Sequence, residues 1–265
     1  MLLNRGFALG TGTAADIVGI VATRAQALGY DSFWMNHPGE VDGIAELKTA
    51  AATTTRIDLG IGVVPLHLRT PGNIRDGVVA AGLPIDRLLL GLGSSNPQAL
   101  ARARQGVADL RDSLGCRIAV AALGPKMCRL AGEVADAVLL NWLTPAHART
   151  SAEWVRSGAQ DARRQTPKMY AYVRLAIGND ARARVDEQSS RYMAIPAYAA
   201  HFERMDNVQL AATAIAATSV AEAEAQLAEW EAAVDEVVLR ALPVGATLDE
   251  HLELLDSLAP GGAGR

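Results

Sequence analysis

Five histidines, His37, His67, His147, His201 and His251, are the side chains here whose unperturbed charge changes near neutral pH. His37 stands in "NHPG", after an apolar run and before Pro38 and Gly39, so its ring is expected at the end of a strand, free to give or take a proton. An ordinary surface histidine is the plainer alternative at such a position. His67, Arg69 and Arg174 are weaker candidates of the same kind, and Arg174 could equally be a strand residue with its charge paired at a rim. No histidine spacing puts two ligands on one helix face, so no metal is expected. A nucleophile elbow, a P-loop lysine and a triad-like motif are likewise missing from the sequence.

Anion binding by backbone is the second chemistry on offer. Small residues followed by a helix start expose N–H groups and a positive dipole end to a phosphate. In "ALGPK", Gly124 permits close backbone approach, Pro125 starts the helix, and Met127, Leu130, Ala131 and Val134 form its buried face. A tight turn that only packs would look the same, so both readings stand at this point.

Such residues must be held by regular elements. Eight short apolar runs begin near Arg5, Asp31, Ile57, Arg87, Arg117, Asp136, Lys168 and Glu236, and each pair is separated by at least one segment that can be helical. Helix punctuation agrees with that count: Gly29 follows one amphipathic segment, Thr144 and Pro145 open another, and Thr247 and Glu250 have capping-box spacing. Eight such units in 265 residues have the rhythm of a (β/α)8 TIM barrel in the α/β class. The barrel is expected to fill 1–258 as one domain, with 259–265 as a flexible tail. The seventh unit, between Gly178 and Val237, has room for an extended helical excursion of two or three helices, and the fourth unit is shortened to one helix. An open dinucleotide-binding sheet competes through "GTGTAA", which spaces Gly10, Gly12 and Ala15 suitably, but the acidic residue expected after the next strand is replaced by Asn36 and His37.

Composition narrows the functions. Half of the residues are hydrophobic and 5% are aromatic, which suits helices packed on parallel strands. A net charge of −4 without a basic stripe argues against a nucleic-acid partner. Cys116 and Cys128 read as buried thiols, and no run approaches the roughly 18 apolar residues of a membrane helix, so a cytoplasmic protein is expected.

At its strand ends the sequence resembles the bacterial luciferase-like monooxygenase superfamily, and within it the oxidoreductases that use the deazaflavin coenzyme F420. The segments that carry the resemblance are "ALGYDSFWMNHPG", "TTTRIDLGIGVVPLHLRTP", "DRLLLGLGSS", "AALGPKMCRLAGEVADAVLLNWLTP" and "AIPAYAAHFERM". The resemblance implies a cofactor ring at the C-terminal ends of the strands, with a backbone bulge behind it, often a non-prolyl cis peptide, at Gly62 and Val63. It implies that Gly93, Ser94 and Ser95 approach the ribityl chain, and that Ala122, Leu123, Gly124 and Pro125 form the phosphate turn beside Asn141, Trp142 and Thr144. His37 matches the histidine that many members place near the reactive face of the ring. Asn36, His67 and Arg174 are then the candidates to touch substrate.

Two residues depart from the pattern. Asn36 stands where many such enzymes have an Asp, and Asn96 replaces an acidic residue of the sugar-phosphate-oxidising branch. The resulting expectation is F420-dependent hydride transfer to or from a small organic molecule, in a chain that forms a homodimer as relatives commonly do. FMN-dependent monooxygenation is the nearest alternative. A flavin-binding protein without turnover and a cofactor-free sugar-phosphate isomerase are more distant ones.

Overall fold

The apolar runs fold as parallel strands with helices between them. The computed structural model describes residues 4–37, 42–95, 98–206 and 210–260. In chain order they form β1 (Arg5–Leu9), α1 (Ala15–Leu28), β2 (Ser32–Asn36), α2 (Gly43–Thr53), β3 (Asp58–Pro65), α3 (Pro71–Ala81), β4 (Leu88–Gly93), α4 (Ala99–Leu114), β5 (Arg117–Ala121), α5 (Pro125–Val134), β6 (Ala137–Asn141) and α6 (Pro145–Asp161). Then follow β7 (Lys168–Ile177), α7 (Ala181–Met193), α8 (Pro196–Glu203), β8 (Ile215–Ala217), α9 (Val220–Glu231), β9 (Glu236–Ala241) and α10 (Leu248–Ser257).

Strands β1 to β7 pair in sequence order, β7 pairs with β9, and β9 returns to β1, so the eight strands close into a parallel barrel. Closure removes the open dinucleotide-binding sheet from consideration. As the sequence predicts, among the described residues α4 is the one helix between β4 and β5, and the seventh unit carries the excursion α7–α8 ahead of α9. Strand β8 is the unforeseen element. It pairs with the outer end of β7 from Leu175↔Ile215 to Ile177↔Ala217, and β7 is ten residues long because it serves β9 first and β8 after it. Three residues give no usable periodicity, which is why "IAA" escapes a pattern reading.

Alternation along each strand divides the core in two. Phe7, Leu9, Phe33, Met35, Leu59 and Ile61 point outward to meet helix residues such as Val21, Ile44 and Leu47. Ala8, Trp34, Leu89, Ala119, Leu139, Tyr170, Tyr172 and Val238 fill the barrel interior. That interior is lopsided: bulky rings from β2 and β7 face β3, β4 and β5, whose inward positions carry Gly60, Gly91, Gly93, Ala119 and Ala121. A Cβ on Gly60 would overlap the Trp34 ring, so the large residue and the small one are mutually required.

The helix ends follow their residue chemistry. Gly29 caps α1 with φ 84°, Thr144 accepts the His147 amide at the start of α6, and Thr247 with Glu250 forms a capping box on α10. Helices α5 and α6 touch backbone to backbone at Gly132 and Gly158, where a Cβ would overlap the carbonyls of Val155 and Arg129. No helix among the described residues is long and apolar enough to cross a membrane.

Candidate functional site

Carrying the inward alternation two residues past the core takes Trp34 to Asn36, Leu139 to Asn141, Tyr172 to Arg174 and Val238 to Arg240. The strands thus replace apolar packing by polar side chains at their C-terminal ends, where barrels hold their chemistry. A cavity of about 630 Å³ opens there. Asn36 and His37 line one side, Gly62, Val63 and Leu139 its apolar wall, and His67, Gly93, Ser94 and Ser95 the rim. Leu123, Gly124 and Met127 lie at another edge, and Tyr192, Tyr198 and Arg204 from the excursion cover it.

The peptide between Gly62 and Val63 is cis, within β3 and at a register shift against β4. Behind it, Tyr172 donates its hydroxyl to Asn36 Oδ1, and burial pushes its phenol pKa up to about 12 against the lowering effect of Arg240 and Arg174. A neutral Tyr172 therefore keeps Asn36 oriented at neutral pH.

His37 is 2% exposed and neither ring nitrogen has a hydrogen-bond partner. Burial, reinforced by the charge of Arg69, lowers its pKa, and Asp42 opposes them from 3.7 Å. The ring is therefore neutral at neutral pH. Asp42 caps α2 by accepting the amides of Ile44 and Ala45, and it binds Arg69 Nη2 at 3.0 Å. A carboxylate thus reaches His37 although the preceding residue is Asn36. Sequence reading missed Asp42 because four residues separate the two in the chain; Pro38, Gly39, Glu40 and Val41 lie outside the described residues, as does Asn96.

Arg174 is buried at the opposite side. Its Nη2 donates to Tyr192 Oη at 2.9 Å, its Nη1 donates to Asn141 Oδ1, and its guanidinium lies 4.2 Å from the centre of the Trp142 ring. Asn141 Nδ2 in turn donates to Tyr198 Oη at 2.8 Å. The rim pairing that the sequence left open for Arg174 is not formed: among the described residues no carboxylate contacts it.

Of the predicted site residues, Asn36, His37, Gly62, Val63, His67, Gly93, Ser94, Ser95, Leu123, Gly124, Asn141 and Arg174 line this one cavity. Ala122, Pro125, Trp142 and Thr144 lie behind it. Ala122 is buried with its amide on Leu139 O, Pro125 is the first residue of α5, and Thr144 caps α6. Trp142 adopts φ 51° and presents its carbonyl to His201 Nε2 at 2.8 Å. Tyr172, Tyr198 and Arg204 are additional lining residues that sequence reading did not name. Tyr172 was within reach, since it sits two residues before Arg174 on the same strand face. Arg204 was not, because only the fold brings its Nη2 within 3.1 Å of Leu123 O, beside Gly124.

Comparison with known proteins finds relatives of the chain and of its fold. The family model described as luciferase-like monooxygenase matches residues 2–116 and 111–264. The 5,10-methylenetetrahydromethanopterin reductase of Methanolobus tindarius is 26% identical over 199 residues, which is 60% of this chain and 61% of that protein, so the match spans about six-tenths of the relative. The coenzyme F420-dependent tetrahydromethanopterin reductase of Methanopyrus kandleri has the same fold, with a TM-score of 0.74 at 15% identity over 98% of this chain and 99% of the other. The monooxygenase RslO1 of Streptomyces bottropensis shares it too, with a TM-score of 0.72 at 17% identity over 97% and 98% of the two chains.

Proposed function

Since the chain belongs to the luciferase-like monooxygenase family, we propose that it is a coenzyme F420-dependent oxidoreductase that moves a hydride between the deazaflavin and a small organic substrate. The observation that carries this reading is His37: a buried, neutral imidazole with unpartnered nitrogens, at the edge of a cavity walled by the cis Gly62–Val63 peptide. The F420-dependent enzyme of M. kandleri supports the choice of cofactor, and the reductase of M. tindarius supports the class of reaction.

The residues present fit such a group. Ser94 Oγ is buried without a partner, Arg174 and Arg204 bring two positive charges, and the described residues lining the cavity include no Asp or Glu. Gly62 and Val63 would lie against the ring, Gly93, Ser94 and Ser95 along its polyol chain, and Leu123 and Gly124, with the α5 N-terminus and Arg204, at its phosphate. Asn141 would approach from β6, with Ala122, Pro125, Trp142 and Thr144 supporting that side from behind. Bound there, the deazaflavin supplies or accepts the hydride. His37 takes or returns the accompanying proton at a ring nitrogen, with Asp42 steadying the imidazolium while it exists. Asn36, fixed by Tyr172, orients the substrate, His67 stands at the rim, and Tyr192 and Tyr198 exclude water.

Titrating the purified protein with F420 and with FMN, followed by fluorescence, tests the assignment. F420 is expected to bind more tightly, and H37A is expected to keep that affinity while losing turnover by about 100-fold. Tighter FMN binding with oxygen-dependent turnover would replace this reading by monooxygenation. Bound cofactor that no donor reduces would leave a carrier or sensor. A cytoplasmic homodimer accompanies the proposal, and sedimentation analysis checks its oligomeric part.

A further inference from the structure

Arg174 and Arg240 are register partners on β7 and β9, so two arginines stand on neighbouring strands at the barrel mouth. Among the described residues neither has a carboxylate partner. Arg174 is held by Asn141, Tyr192 and the Trp142 ring. Arg240 has less: its Nη1 donates to the carbonyl of its own neighbour, Ala241. Burial lowers the Arg240 pKa, Tyr172 works against that effect, and the like charge of Arg174 adds to it. A cation kept in such a place is costly unless an anion joins it.

Arg240 faces a second cavity of about 490 Å³ at the mouths of β1 and β9, between the β1–α1 loop, α7 and the β9–α10 loop. Gly10, from the "GTGTAA" stretch that no nucleotide fold claimed, makes room for it, because a Cβ there would overlap Arg240 Nη2. Arg184 lines the same space. Its Nη1 donates to the Leu242 carbonyl and its Nη2 to the Ile177 carbonyl at 2.6 Å and to Asp180 at 3.0 Å, while its Nε has no partner. His251 adds a buried Nδ1, also unpartnered. Glu187 is the acidic residue among the described lining residues, and it is paired with Arg191 at 2.6 Å.

We propose that this second cavity is a binding site for a small oxyanion, a carboxylate or a phosphate, held chiefly by the Arg240 guanidinium with Arg184 and His251 beside it. The planar fork of an arginine matches either oxyanion, and a charge-assisted pair is the strong form of hydrogen bond. The proposal is independent of the cofactor assignment, since it concerns the neighbouring cavity and holds whether F420 or FMN occupies the first.

Calorimetric titration of the full chain, at constant ionic strength set with chloride, tests it with inorganic phosphate in one arm and malonate in the other. Saturable binding is expected in at least one arm, and the stronger arm identifies the oxyanion. R240Q should weaken that binding by at least about tenfold. No saturable binding, an unchanged affinity in R240Q, or a loss in R174Q as large as that in R240Q would each overturn the proposal. A measurement on the unsubstituted protein stands apart from any folding defect. Burial lowers the His251 pKa, the charge of Arg240 adds to it and Glu250 opposes them, so an anion beside Arg240 should raise the His251 pKa in an NMR titration while leaving His37 unmoved. A His251 that does not respond to phosphate or malonate at any concentration would also overturn it.

Discussion

Asp42 is the side chain that, from outside the strand of His37, opposes the lowering of its pKa by burial and by Arg69. Its negative charge favours the imidazolium, so D42N is expected to push the already lowered His37 pKa further down, moving the acidic limb of any His37-dependent pH profile to lower pH. Asparagine caps a helix about as well as aspartate, so the stability of D42N should change by less than about 1 kcal/mol. Histidine NMR titration together with urea unfolding separates the two effects, and an unmoved His37 would remove Asp42 from the site. His37 itself was legible because its position after a strand and before Pro38-Gly39 puts a titratable ring at a barrel mouth. Asp42 and Arg204 were not, because their place in the site depends on how the start of α2 and the excursion pack, and no short-range spacing encodes either.

Among the elements, the α5–α6 pair is the most demanding. Gly132 and Gly158 let the two helices approach to backbone distance, so G158A must separate them or distort Arg129. We expect G158A to cost about 1–3 kcal/mol in urea unfolding and to weaken F420 binding, because the start of α5 carries the Gly124 turn. T247A should cost about 1 kcal/mol through loss of the capping box and leave cofactor affinity unchanged, since α10 lies away from that turn. Equal effects of the two variants on binding would show that general instability, and not the position of α5, is being measured. Thr247 and Glu250 announced this cap in the sequence, as Thr144 and Pro145 announced α6. The glycines of α5 and α6 gave no such signal: a helical glycine reads as a weak helix former until the neighbouring helix is in place.

For the whole molecule, the eight-unit rhythm was enough to specify a barrel, whereas β8 and the internal lopsidedness emerge only when the strands close. Closure also buries histidines. Burial lowers the pKa of His37, His147, His201 and His251, and that of His201 falls from 6.5 to about 4. In that interval the unfolded chain binds more protons than the native one, so the contribution of His201 to stability is complete above pH 6.5 and is lost as the pH falls towards 4. Between about pH 7 and about pH 5 the loss from His201 alone is about 2 kcal/mol. Denaturant midpoints at the two values check it, and H201Q should flatten the dependence; an equally steep one would assign it to other groups. The lopsided interior has an evolutionary consequence as well. On β3 and β4 the barrel wall is close-packed at its glycines, and a side chain added at Gly60, Gly91 or Gly93 would collide with Trp34, with the Ile61 carbonyl or with Val63. Substitutions that reshape the cavity are therefore expected on its other described walls, β2, β6, β7 and the α7–α8 excursion. One half of the chamber is closed to new side chains, and a change in what the chamber accepts would have to arise in the other half.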